Sequence, residues 1–136
     1  MRVSFEIPTT PYGKARHRTG INGMMYKDKV TENFENLVKV MYQKATKHFF
    51  EDAIELYFVF NFSIPESYSK KKKKSITDGE IKYTKKPDID NLIKSIMDGL
   101  NKTAYKDDSQ VYKIGAKKQF AERDSIQVVI KDTEEN

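Results

Sequence analysis

Ile54-Glu55-Leu56-Tyr57-Phe58-Val59-Phe60-Asn61-Phe62-Ser63-Ile64 alternates apolar and mixed positions along its whole length. Ile54, Leu56, Phe58, Phe60, Phe62 and Ile64 occupy one side, while Glu55, Tyr57, Asn61 and Ser63 occupy the other. A period of two sustained this long is the side-chain period of a β-strand, and its apolar side needs a cover. Pro65 ends the run, because proline cannot donate to a strand ladder.

Upstream, Val3, Phe5 and Ile7 alternate with Ser4 and Glu6, which predicts a first strand ending at Pro8. Residues 9 to 27 form a Gly- and basic-rich connection with no sustained period. From about Asp28 to Lys47, the residues Val30, Phe34, Leu37, Val38, Met41 and Ala45 fall at helical spacing and predict an amphipathic helix. Downstream, Lys70 to Lys74 are five consecutive lysines, expected as a short helix or a loop. Leu92, Ile93, Ile96, Met97 and Leu100 form the apolar stripe of a second main helix. Strands at about Val111 to Phe120 and Ile126 to Lys131 close the chain, with Glu122-Arg123-Asp124-Ser125 expected as a hairpin connection. The predicted class is α+β, a mixed sheet with helices packed on it in the order β-α-β-α-β-β. With 136 residues, no repeat and no linker, one domain over 1–136 is expected.

Composition narrows the function. A net charge of +5 points to an anionic partner. The chain has no cysteine, which removes disulfides, zinc-thiolate sites and thiol nucleophiles. His17 and His48 are scattered and not spaced as metal ligands. No apolar run is long enough to span a bilayer, and Met1-Arg2-Val3-Ser4 leads into a strand pattern, not a signal peptide. The expectation is a cytoplasmic protein with no membrane partner and no small-molecule cofactor.

Against this basic background, acids gather around one helix. Lys86-Pro87-Asp88-Ile89-Asp90-Asn91 opens it, Lys94 and Asp98 follow at steps of four, and Asp107-Asp108 comes shortly after. If Asp88 is the N-cap, then Asp90, Lys94 and Asp98 share a face opposite the apolar stripe. Carboxylates repel a polyanion, so their presence in a basic chain calls for a cation. Two cap- or strand-borne carboxylates meeting a third suit Mg²⁺, which takes hard oxygen ligands. Each acid also has a plain structural reading: a cap, a first-turn acid, an i,i+4 ion pair with Lys94, or a turn.

The stretch Lys86 to Leu100, followed by Asp107-Asp108-Ser109-Gln110-Val111, carries the pattern D-x-D-N-x-x-K-x-x-x-D-x-L and then D-D-x-Q-V. It closely resembles the RusA family of Holliday junction resolvases. The resemblance implies that Asp88, Asp90 and Asp108 are metal-binding, catalytic carboxylates and that Lys94 is a catalytic lysine near the scissile phosphate. Asp107 matches an acid of lesser role, and Asp98 a recurrent position to which no role is attached. Also implied are a RusA-like fold, dependence on Mg²⁺ or Mn²⁺, a homodimer, and a four-way DNA junction cut by two symmetric nicks. A phage or prophage setting and roles in recombination and repair follow from the same source. Where many relatives have proline in a K-x-R-P-R run, this chain has His17.

DNA-binding expectations fall on the basic segments. Lys14, Arg16 and Arg18, at alternate positions of an extended loop, project to one side and suit backbone phosphates. Lys70, Lys71, Lys72, Lys73 and Lys74 suit salt-dependent contact. Lys85 and Lys86 adjoin the acidic motif and are expected to bind DNA as well. Tyr12, Tyr68 and Tyr83 lie near these segments, with packing the plainer reading than base stacking. Two other readings stand beside the resolvase: a non-catalytic protein that binds branched or single-stranded DNA, and a nuclease of the same chemistry that prefers flaps or RNA.

Overall fold

The computed structural model describes residues 1–13 and 28–134, together with the backbone of Arg18–Thr19 and Met25–Tyr26. Along the chain run β1 (Arg2–Ile7), β2 (Arg18–Thr19), β3 (Met25–Tyr26), α1 (Lys29–Ala45), β4 (Ile54–Ser63), α2 (Lys70–Thr77), α3 (Ile89–Leu100), β5 (Val111–Ala121) and β6 (Ser125–Asp132). The α+β class with a mixed sheet is as the sequence predicts. Two features add to the expected order: β2 and β3 pair as a small antiparallel ribbon inside the basic connection, and the lysine run forms α2.

The main sheet has the strand order β1-β6-β4-β5. β4 lies inside it, antiparallel to β6 and parallel to β5. Ile54, Leu56, Phe58, Phe60 and Phe62 are buried on the side that carries the helices, where they join Val3 and Ile7 of β1 and Ile126, Val128 and Ile130 of β6. On the opposite side Asn61 is also buried. Its amide donates to Ser125 Oγ and its oxygen accepts from Gln119, so the buried polar group is satisfied by both flanking strands.

The expectation of a hairpin between β5 and β6 is not met. β4 separates the two strands, and the link at 122–124 crosses over its end. Asp124 ties that crossing, accepting from the Ser63 N–H and the Thr10 hydroxyl at 2.7 Å each. The cause is burial: the most apolar strand takes the interior of the sheet, where it has a neighbour on each edge.

α1 packs against α3 and β1. Asp28 caps it through the Thr31 N–H at 2.7 Å. Its buried face is Thr31, Phe34, Glu35, Val38 and Tyr42, whereas Val30 is 61% exposed and Ala45 faces solvent. The apolar pattern at 30–45 is therefore rotated slightly from the true face. Tyr42 is buried in the core, and its hydroxyl is satisfied by donating to the His48 carbonyl. His48, beyond the end of α1, packs edge-on against Phe50. At the α1–α3 contact Gly99 permits the close approach, since a Cβ there would lie 2.7 Å from Val38 Cβ. This packing fixes α3 on the sheet with its polar edge outward.

Candidate active site

α3 begins where Asp88 adopts extended backbone (φ −66°, ψ 146°) as N-cap. Leu92, Ser95, Ile96, Gly99 and Leu100 are buried, which turns Asp88, Asp90 and Lys94 outward. Asp88 makes no side-chain capping bond. The Asp88 carbonyl accepts from the Leu92 N–H at 3.1 Å, but among the described residues neither the Asp88 nor the Asp90 side chain has a hydrogen-bond or ion-pair partner. Lys94 Nζ turns away from Asp90 and pairs with Asp98 Oδ1 at 3.1 Å. The helix thus presents two uncommitted carboxylates at its N-terminal end and a lysine–carboxylate pair in its second half.

The Asp107-Asp108-Ser109-Gln110 segment folds as a 3-10 turn. Asp107 is its cap: Oδ2 accepts from the Ser109 N–H at 2.9 Å, and the Ser109 hydroxyl together with that N–H holds its carboxyl below the ordinary range. Gln110 Oε1 accepts from the Lys106 and Asp107 N–H groups, while its Nε2 donates to the carbonyls of Phe50 and Asp52. One side chain therefore closes the turn and ties it to the segment before β4.

Asp108 is the member of the pair that faces α3. Its Oδ1 accepts from the buried Tyr105 hydroxyl at 3.0 Å, and the same hydroxyl lies 3.4 Å from the Met97 carbonyl. Partial burial pushes the Asp108 carboxyl above its ordinary range. The Tyr105 bond and the Lys94 charge pull the other way, and Asp98 and Asp107 add to the rise. Asp108 therefore lies beside the second half of α3. The part of β5 that arrives at the helix start is not its beginning but Lys118, towards its far end.

Along α3, Asp90 and Asp98 are two turns apart, about 12 Å of axis. Among the described residues, no three His, Asp or Glu side chains come together closely enough to hold a metal ion. The donor chemistry nevertheless suits a hard cation: Asp88 and Asp90 are uncommitted, and the Asp108 bond to Tyr105 uses only Oδ1.

The basic expectations divide. Lys14 and Arg16 lie outside the described residues, as does the side chain of Arg18. Ser69 caps α2 through the Lys72 N–H, and within that helix only Ile76 is buried. Lys72 Nζ sits 3.8 Å over the Tyr68 ring, and Lys85 donates to the Tyr68 hydroxyl, which lowers the phenol below its ordinary range. Tyr12 bonds Thr31 and packs on Phe34; Tyr83 stacks on Phe62 at 4.0 Å. Packing accounts for both rings. Lys118 and Tyr105 escape sequence reasoning. Lys118 is one of many lysines, and nothing in the alternation of β5 marks it. Tyr105 sits in a turn where only tertiary packing reveals its partner.

A family model described as endodeoxyribonuclease RusA matches residues 8–131. The chain is 30% identical over 136 residues to the crossover junction endodeoxyribonuclease rusA of Lactococcus phage r1t, covering 96% of this chain and 98% of that protein. It is also 42% identical over 66 residues to the uncharacterized protein YqaN of Bacillus subtilis (strain 168), a match that spans 48% of this chain and 46% of YqaN, about half of each. The class is that of DNA endonucleases. The chain belongs to the RusA family of endodeoxyribonucleases.

Proposed function

We propose that this chain resolves four-way DNA junctions by paired symmetric nicks, as a divalent-metal-dependent homodimer acting in recombination or repair of phage or prophage DNA. The observation that carries the proposal is its near full-length similarity to a phage crossover junction endodeoxyribonuclease. A two-fold dimer presents two equal sites to a substrate that is itself close to two-fold symmetric.

In this reading Asp88, Asp90 and Asp108 would hold Mg²⁺, or Mn²⁺ in its place, which requires Asp108 and the start of α3 to draw closer than they stand in this structure. A bound cation supplies charge neutralisation at the phosphate and lowers the pKa of water. Asp88 and Asp90 contribute carboxylates that no other described side chain occupies, and Asp108 keeps one oxygen on Tyr105 while offering the other. Lys94, held by Asp98, brings an ammonium to offset the negative charge that develops as water adds to phosphorus. The phosphorus–oxygen bond then breaks, leaving a phosphate on one strand end and a hydroxyl on the other.

Lys70 to Lys74, Lys85 and Lys86 bind the DNA backbone, joined by Lys14, Arg16 and Arg18. The electrostatics of α2 support this role. Lysines in a helix's first turn oppose the macrodipole, a cost of about 0.3–1 kcal/mol each, yet α2 opens with Lys70, Lys71 and Lys72. A polyanion turns that cost into a gain.

The test is cleavage of a four-way junction, a flap and a linear duplex, each with and without Mg²⁺. The expected result is paired nicks in the junction only when the ion is present. A shifted band with no product identifies a binding protein instead, and preferential cutting of the flap reassigns the substrate. Asp90→Asn is expected to abolish cleavage while junction binding persists or tightens, because a repulsive charge is removed. Wild-type nicking by that variant would sink the assigned role.

A further inference from the structure

The backbone just before Asp88 is tied at three successive carbonyls. Lys118 Nζ donates to the Lys85 carbonyl at 2.8 Å and to the Pro87 carbonyl at 3.1 Å. Between them, the Lys86 carbonyl accepts from the Tyr83 hydroxyl at 3.3 Å. Tyr83 is itself held from the sheet, stacked on Phe62 and edge-on to Phe120, with Lys118 Nζ 5.4 Å above its ring. On the other side of the segment, Gly13 lies so close that a Cβ there would fall 2.5 Å from Pro87 Cβ.

Lys118 stands opposite Phe60 in the β4–β5 register, on the sheet side that carries the core. An apolar residue would suit that position without an ammonium to solvate, and a lysine there is favourable only if its head finds acceptors. It finds two, and both belong to the three residues that lead into Asp88. Asp88 has no capping bond to orient its carboxylate, so the backbone that enters the residue is what aims it.

We propose that Lys118 is a positioning residue for the Asp88–Asp90 carboxylate pair, acting through the Lys85 and Pro87 carbonyls. The inference rests on the assignment of Asp88 as a cation ligand. Its physical content is preorganisation: a clamped backbone leaves fewer orientations of Asp88 to be lost when a cation binds.

The experiment compares the full-length protein with Lys118→Met, which keeps the bulk and removes the donors, and Lys118→Arg, which restores donors. Four quantities are read: thermal melting, junction affinity without metal, amide hydrogen exchange over residues 85–92, and single-turnover cleavage across a Mg²⁺ titration. For Lys118→Met, the expected result is a folded protein that binds the junction within about threefold of wild type, since every phosphate-binding lysine is still in place. Its exchange near Asp88 quickens, its half-saturating Mg²⁺ rises, and cleavage at low Mg²⁺ falls by roughly ten- to a hundredfold, the scale typical of residues that orient a ligand. Lys118→Arg recovers most of the loss. Wild-type exchange and an unchanged Mg²⁺ midpoint in Lys118→Met would overturn the proposal. So would a loss of junction affinity that matches the loss of cleavage, which would make Lys118 a phosphate-binding residue. If Lys118→Met fails to fold, Lys118→Gln, with an amide too short to reach both carbonyls, carries the same expectations. A wild-type protein that cuts no junction refutes the resolvase reading, and the exchange measurement still decides the clamp.

Discussion

Asp107 and Asp108 are neighbours in the chain with different surroundings. Asp107 spends its carboxylate on the Ser109 N–H as a cap, while Asp108 turns to Tyr105 and into the field of Lys94. The sequence marks the pair as acidic but cannot say which acid faces α3, because that depends on the 3-10 turn between them and β5. The same holds at Lys94: Asp90 and Asp98 are both one turn away, and only the side-chain conformation shows that Asp98 has it. The side chain of Gln110, the glutamine of the D-D-x-Q-V pattern, makes four hydrogen bonds and stands outside the proposed chemistry. Gln110→Ala is expected to lower stability by about 1–3 kcal/mol, the range for removing bonds whose partners are left unsatisfied. Cleavage per folded molecule should fall far less than in Asp90→Asn. Urea unfolding together with an active-site titration checks both; a fully stable variant without cleavage would instead give Gln110 a direct catalytic part.

At the scale of elements, β4 is the most legible and the β5–β6 link the least. Eleven alternating residues can hardly be anything but a strand, yet the pattern is silent about which strands flank it. Asp124 is the residue that manages the resulting crossing. Its hydrogen bonds from the Ser63 N–H and the Thr10 hydroxyl hold its carboxyl below the ordinary value of 3.8. A carboxylate with a depressed folded-state pKa stabilises the fold above its unfolded pKa, and that contribution is lost as pH falls through the folded value. Asp124→Asn should therefore be less stable than wild type at neutral pH, by about 1 kcal/mol. The gap should narrow as pH drops below about 3.8, where wild type loses its own contribution. Paired thermal melts across pH 2.5 to 7, roughly the span of carboxylate titration, check it, and a gap that does not change with pH would show that charge at Asp124 is irrelevant.

For the whole molecule, α1 and α3 pack on the core side of the main sheet, and α2 adds a lysine-rich element beside the segment leading to α3. Association with DNA should accordingly depend strongly on salt. Removing one lysine–phosphate interaction lowers the slope of log K against log salt by about 0.9. Replacing Lys70 to Lys74 with glutamine should flatten that slope by roughly one to four units without changing melting behaviour much, since the helix buries only Ile76. Fluorescence anisotropy of a labelled junction across a salt series measures it; an unaltered slope would remove α2 from the binding surface. No described helix is long and apolar enough to cross a membrane.

The sequence by itself determined the class of fold, the two main helices, the central strand and the acidic pattern, because these depend on local period and spacing, which neighbours in the chain impose on one another. Only the tertiary structure decided that β4 separates β5 from β6, that Tyr42 is buried while Val30 is not, and that Asp108 meets the second half of α3. It alone brought Lys118 to the backbone before Asp88. Each of these turns on interactions between residues far apart in the chain, settled by which packing buries the most apolar surface while leaving buried polar groups bonded.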